Sequence, residues 1–339
     1  MFLTKDTLSF DDVLLTPQYS DILTRSEVST SSTLRSLPEF NLPIISSPMD
    51  TVTGESMARA IHAAGGVGVV HRYNSIEEQA SMVATITSAG HQVGAAIGVN
   101  GDFLDRALSL VQAGVSFLCI DVAHGHHISV KEALQTLREK LGDSIHIMAG
   151  NVATLEAFND LADWGADSIR VGIGGGSICS TRIQTGHGVP TLQSIADCSA
   201  SDRDAALIAD GGIRNSGDMV KALAAGADFV MIGSLLSGTG ETPGEILNTK
   251  DGKKKVYRGM ASKEAQTDWR GRVSSIEGVT HVVPYKGPVK EVLNELGVGI
   301  RSGLSYSGAR SIQELQAKAQ FVRQTNAGVI ESSTHIKGR

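Results

Sequence analysis

Short apolar, β-rich runs recur along this chain at roughly regular intervals: LPIISSP (42–48), GGVGVVH (65–71), VGAAIGV (93–99), FLCIDVA (117–123), IHIMAGN (145–151), SIRVGI (168–173), ALIADGG (206–212) and FVMIGS (229–234). Between them lie segments of helical periodicity, such as SMARAIHAAG, DFLDRALSLVQAG, TLEAFNDLADWG and SGDMVKALAAG, each closing on glycine, the usual residue after a helix end. The unit is helix, glycine, strand. Strands that are apolar throughout belong to a parallel sheet buried on both faces, and repeats of roughly 25 residues match an α/β fold, the (β/α)8 TIM barrel. A doubly wound open sheet competes, but it needs a GxGxxG turn after its first strand, and SSPMDTVTGES is not one. The 339 residues therefore read as a single barrel domain, 1–339.

A hydrophobic fraction of 41% and a charged fraction of 19% are those of a globular protein with an ample core. With a net charge of −6 there is no basic field to attract a nucleic acid, and the one basic run, Lys253 to Lys255, reads as a solvated turn. Lys5, Asp6, Asp11 and Asp12 interrupt the start where a signal peptide needs an apolar stretch, so a cytoplasmic protein without a membrane partner is expected. Cys119, Cys179 and Cys198 form neither a metal spacing nor a disulfide set and should be reduced thiols.

Active sites in this fold sit at the carboxyl ends of the strands, and the unusual residues fall there: SSPMD, DVAHGH, GNVAT, GIGGGSIC, ADGGIRNSGD and GSLLSGTGE. Residues 241–312 are too long for one connection. Within them, 241–290 read as a flap over the barrel mouth. Gly172, Gly174, Gly175 and Gly176 allow backbone to approach a ligand, and ADGG and IGS follow strands seven and eight, where barrels hold phosphate on amides. A phosphorylated ligand is implied. A lone cysteine is more often buried filler, a role that suits Cys119 and Cys198. Cys179, in the glycine loop with Arg182 in reach, is instead expected as a nucleophile. Asp121 and Asp210 end apolar strands where ribose hydroxyls could meet them. His124, His126 and His127 read as a solvated loop, with no catalytic metal.

With these residues in place, the chain closely resembles the IMP dehydrogenase/GMP reductase family over nearly its whole length. The matching stretches are LSFDDVLLTP (8–17), SSPMDTVT (46–53), DVAHGH (121–126), AGNVAT (149–154), VGIGGGSICSTR (171–182), IADGGIRNSGD (208–218), MIGSLLSGT (231–239), YRGM (257–260) and VPYKGP (283–288). The resemblance implies a barrel that assembles as a homotetramer and a cysteine, here Cys179, that bonds to C2 of a purine 5′-monophosphate while hydride passes to or from a nicotinamide cofactor. By the same matching, Ser177, Asp210, Gly212, Gly233, Ser234 and Tyr257 would hold phosphate and ribose. Ser47, Met49, Gly259 and Met260 would surround the base, and Asp121 and Asn151 would lie towards the cofactor. Carbonyls of Gly174, Gly176 and Cys179 would bind K+, with Glu331 and Ser332 completing the site from a neighbouring subunit. Many dehydrogenases of the family carry regulatory CBS domains after the second helix; here EEQASMVATITSAGHQ passes straight to VGAAIGV, so no such insert is expected.

Two chemistries share this scaffold, oxidation of IMP to XMP with NAD and reductive deamination of GMP to IMP with NADPH. Both use a threonine and a flap carboxylate, matching Thr181 and Glu277, to shuttle a proton. Dehydrogenases carry an Arg-Tyr pair about a dozen residues before that glutamate to activate water. At that place this chain reads KEAQTDW. The expectation is therefore a reductase, with three alternatives: a dehydrogenase using Arg270 and Arg272 in place of the pair, a purine monophosphate sensor without catalysis, or a flavin-dependent barrel enzyme. Gly175, often proline in the family, should add loop freedom, and Thr191, in place of a frequent glutamine, should lie near the base.

Overall fold

The computed structural model describes residues 6–273 and 276–332, apart from the side chain of Arg270. Eight parallel strands close into a barrel: β1 (Ile44–Ser46), β2 (Val67–Val70), β3 (Val93–Ile97), β4 (Phe117–Asp121), β5 (His146–Val152), β6 (Ser168–Val171), β7 (Ala206–Asp210) and β8 (Phe229–Ile232). Closure runs through β1 and β8, with Ile45 opposite Met231. Each expected apolar run is one of these strands.

Helices α1 (Glu55–Ala63), α2 (Ile76–Ser88), α3 (Phe103–Gln112), α4 (Ile128–Leu141) and α5 (Leu155–Asp163) return the chain after β1 to β5. A short α6 (Thr181–Thr185) and α7 (Thr191–Cys198) follow β6, α8 (Ser216–Ala224) follows β7, and the flap with its helix α9 (Lys263–Arg270) precedes α10 (Val289–Tyr306). Thr154, Asn215 and Ser262 cap their helices with side-chain oxygens, and Ser75 forms a capping box with Glu78. Past α1, α3, α5 and α8, Gly65, Gly114, Gly165 and Gly226 take positive φ, the conformation that ends a helix without a Cβ clash.

Ile45, Val67, Val69, Phe117, Met148, Ile208, Phe229 and Met231 fill the barrel, joined by Leu34 and Phe40 from the segment before β1. Gly94 makes room for Phe117, since a Cβ there would lie 2.3 Å from the ring. A second apolar layer packs the helices on the outside of the sheet.

Three features were not anticipated. Val13–Leu15 pairs antiparallel with Phe321–Arg323, tying the two ends of the described chain together; three-residue strands are too short to show periodicity. The flap contains an antiparallel sheet of β9 (Leu247–Thr249), β10 (Gly252–Arg258) and β11 (Thr280–Pro284). The basic run Lys253–Lys255 is therefore a strand and not a solvated turn. Strand alternation turns Lys255 and Tyr257 inward, and the buried Lys255 amine donates to the Thr242 carbonyl. Among the described residues no helix is long and apolar enough to cross a membrane.

Candidate active site

A cavity of about 550 Å³ opens at the carboxyl ends of the barrel strands, between the barrel and the flap. Ser47 and Met49 reach it from beyond β1, Asp121 from the end of β4, Asn151 from β5, and Asp210 and Gly212 from the end of β7. Gly174, Gly176, Ser177, Cys179 and Thr181 line it from the loop after β6, and Gly233 and Ser234 from the turn after β8. The flap adds Tyr257, Gly259, Met260 and Glu277. Separate strand ends thus converge on one hollow, as the barrel topology requires.

The reactive centre is a short relay. Cys179 Sγ donates to Thr181 Oγ1 at 3.1 Å, and Thr181 Oγ1 donates to Glu277 Oε2 at 2.8 Å. The flap is stitched to the cysteine loop here: Ser180 N donates to the Glu277 carbonyl at 2.9 Å, Val279 N to the Ile178 carbonyl at 3.2 Å, and Cys179 bridges Gly278. Thiol, hydroxyl and carboxylate therefore lie in proton-transfer order. Cys179 is partly exposed, whereas Cys119 and Cys198 are fully buried and burial pushes both thiols up to about 12. Neither forms a thiolate near neutrality, so Cys179 is the thiol of the three that the cavity exposes.

Backbone dominates the far wall. Gly211 and Gly212 take φ of 90° and 79°, open only to glycine, and bring their backbone against Gly175 and Gly176. Tyr257 is buried, and burial raises its hydroxyl above the ordinary range. The tyrosine thus stays a neutral donor at this wall.

Arg170, which sequence reasoning missed, is the electrostatic centre of the site. Buried in β6, it donates from Nη1 to Asp121 Oδ1 at 2.7 Å and from Nε and Nη2 to Asp210 Oδ2 at 3.1 and 2.9 Å. Asn151 Nδ2 donates to the same Asp210 oxygen at 2.8 Å and to the Gly172 carbonyl at 2.9 Å. One guanidinium thus fixes both carboxylates singled out from sequence. The signal was a lone arginine inside the apolar run SIRVGI. Arg72, Tyr73, Gln266 and Trp269 also line the cavity and were not foreseen.

Three expectations need correction. Arg182 does not face the thiol; its Nη2 donates to the Val189 and Ile173 carbonyls at 2.6 and 3.2 Å, so it braces the glycine loop. Thr191 does not itself line the cavity: it is buried directly behind the lining glycines Gly172, Gly175 and Gly212, its Oγ1 without a partner among the described residues. Gly175 serves close packing and not loop freedom, because a Cβ there would sit 2.4 Å from Thr191 Oγ1.

Glu331, at the end of α11 (Asn326–Glu331), and Ser332 are exposed and do not line this cavity. Arg272 is exposed, and the Arg270 side chain lies outside the described part of the structure. His126 Nε2 pairs with Asp160 at 2.8 Å, and His127 caps α4. Among the described residues no three His, Cys, Asp or Glu side chains converge as a metal site.

Comparison with known proteins agrees with this geometry. Residues 7–335 match the IMP dehydrogenase / GMP reductase domain. An inosine-5′-monophosphate dehydrogenase of Nitrosopumilus maritimus is 34% identical, covering 98% of each chain, and a GMP reductase of Leishmania major is 33% identical, covering 97% of this chain and 96% of that one. A cysteine-to-alanine variant of GMP reductase from Trypanosoma brucei, crystallised with guanosine 5′-monophosphate, superposes with a TM-score of 0.94 at 31% identity over 98% of both chains. Relatives named for both activities thus match nearly the whole of this chain, and the chain belongs to the IMP dehydrogenase/GMP reductase family of purine nucleotide oxidoreductases.

Proposed function

We propose that this chain is an NADPH-dependent GMP reductase, converting GMP to IMP and ammonia through a covalent bond between Cys179 and C2 of the purine. The observation that carries this reading is the Cys179–Thr181–Glu277 relay under a flap whose helix α9 stands where an Arg-Tyr pair would otherwise activate water.

In the proposed reaction the Cys179 thiolate adds to C2, and Glu277 passes a proton through Thr181 to the exocyclic amine, which leaves as ammonia. C2 then takes a hydride from the reduced cofactor, the carbon–sulfur bond breaks, and thiolate and IMP are released. Ser177, Gly212, Gly233, Ser234 and Tyr257 hold the phosphate, Asp210 the ribose, and Ser47, Met49, Gly259 and Met260 the base. Asp121 and Asn151 lie towards the cofactor. The donors present fit a nicotinamide: Asn151 Oδ1 is buried without a partner among the described residues, an acceptor that a carboxamide N–H satisfies. They also fit K+, since Gly174, Gly176 and Cys179 offer hard carbonyl oxygens, with Glu331 and Ser332 supplied by a neighbouring copy in a cytoplasmic homotetramer.

A second reading is an IMP dehydrogenase using NAD, favoured by the 34% identity to the Nitrosopumilus maritimus enzyme of that name. Acid-quenched enzyme incubated with GMP tests the main proposal. The nucleotide is expected on the peptide containing Cys179 and absent from Cys179→Ala, which should also lose turnover. Undiminished turnover in Cys179→Ala would refute covalent catalysis.

A further inference from the structure

The flap is fastened to the barrel through α9. Trp269 packs edge-on against Tyr73 with ring centroids 5.1 Å apart. The Arg72 guanidinium lies 5.1 Å from the Tyr73 ring centre and 5.9 Å from that of Trp269, and its Nη2 donates to the Asp121 carbonyl at 3.1 Å. One residue earlier on the helix, Asp268 accepts from Arg258 Nη1 at 2.5 Å, while Arg258 Nε and Nη2 hold Asp50 Oδ2 at 3.0 and 2.6 Å. These contacts pin α9 to the loops after β1 and β2. Trp269, Tyr73 and Arg72 all line the cavity, on the side where Asp121 lies.

We propose that Trp269 positions the nicotinamide ring and walls water off the Cys179 adduct, so that this side chain sets the division between hydride transfer and hydrolysis. The inference rests on the GMP reductase reading. An adduct at C2 has two fates. Hydride added to C2, followed by carbon–sulfur cleavage, returns the thiolate and gives IMP. Water added to C2 with loss of a proton, followed by the same cleavage, returns the thiol and gives XMP without any oxidant. An indole held by Tyr73 and Arg72 presents a flat apolar ring face, which stacks a planar ring and gives water no hydrogen-bond partner except at its edge N–H.

Trp269→Ala should raise the KM for NADPH roughly tenfold while the GMP KM stays within about twofold, and XMP should appear beside IMP. Trp269→Phe should restore the wild-type pattern in large part. Trp164, the other of the two tryptophans, stacks on His126 outside the cavity. In Trp164→Phe enzyme, the remaining emission should therefore be quenched when NADPH binds. An unchanged NADPH KM with IMP as the product would overturn the proposal. So would a parallel rise of both KM values that Trp269→Phe does not repair, the mark of a helix that only needs the side chain to fold. Wild-type enzyme that oxidises IMP with NAD and ignores GMP would refute the reductase reading instead. The same comparison on the NAD KM would then decide the role of Trp269.

Discussion

Arg170 shows what a single buried charge contributes to this site. Its guanidinium compensates two carboxylates at once, and removing it would strand Asp121 and Asp210 in a half-buried wall. Arg170→Met should cost about 3–5 kcal/mol of stability, read as a lower urea midpoint, with Arg170→Lys in between because an ammonium cannot satisfy both partners in fork geometry. A change below about 1 kcal/mol would mean that water or Asn151 replaces the arginine. In the relay, Thr181→Val and Glu277→Gln should each slow turnover by about 10²–10⁴-fold with the GMP KM little changed. That Cys179, Thr181 and Glu277 would meet was legible, the cysteine from its place in the glycine loop and the other two from the family motif. Arg170 was not, because its partners lie 49 and 40 positions away and its neighbours in sequence are apolar.

At the scale of elements, the barrel strands and most helices could be read directly, since continuous apolar runs and glycine stops are local signals. The flap sheet could not. β9 and β11 are short and mostly exposed, and β10 finds its second partner only across the flap, where Lys254 faces Pro284 and Arg258 faces Thr280. The loop after β6 shows a similar limit. Gly175 and Thr191 each read as an isolated departure from the family, but they touch. Gly175→Ala should therefore cost about 1–3 kcal/mol through overpacking, and adding Thr191→Ala should recover much of the loss. A double-mutant cycle with no coupling would contradict this account. The Arg182 brace on Ile173 and Val189 was invisible for the same reason, because nothing in its spacing tells a loop clamp from a thiolate partner.

Across the whole molecule, burial also sets the response to acid. His71 and His146 are buried, and loss of hydration is the larger cause holding both below the ordinary imidazole range. The unfolded chain takes up protons on these side chains as pH falls below about 6.5, while the folded chain resists. The contribution of the neutral histidines is thus complete above that pH and is lost as pH drops towards their folded values. Urea midpoints should decline from pH 7 to pH 5.5, and a flat or rising profile would contradict the assignment. The same closed barrel brings eight strand ends to one mouth, which is why residues spread from Ser47 to Glu277 form one chemical unit.

The most direct test of that unit is the ammonia released per NADPH oxidised when purified enzyme meets GMP in potassium buffer. The account predicts one ammonia for each NADPH, with IMP as product. No NADPH oxidation with GMP, together with NADH formed from IMP and NAD, would contradict it and make the protein a dehydrogenase that activates water without an Arg-Tyr pair in its flap.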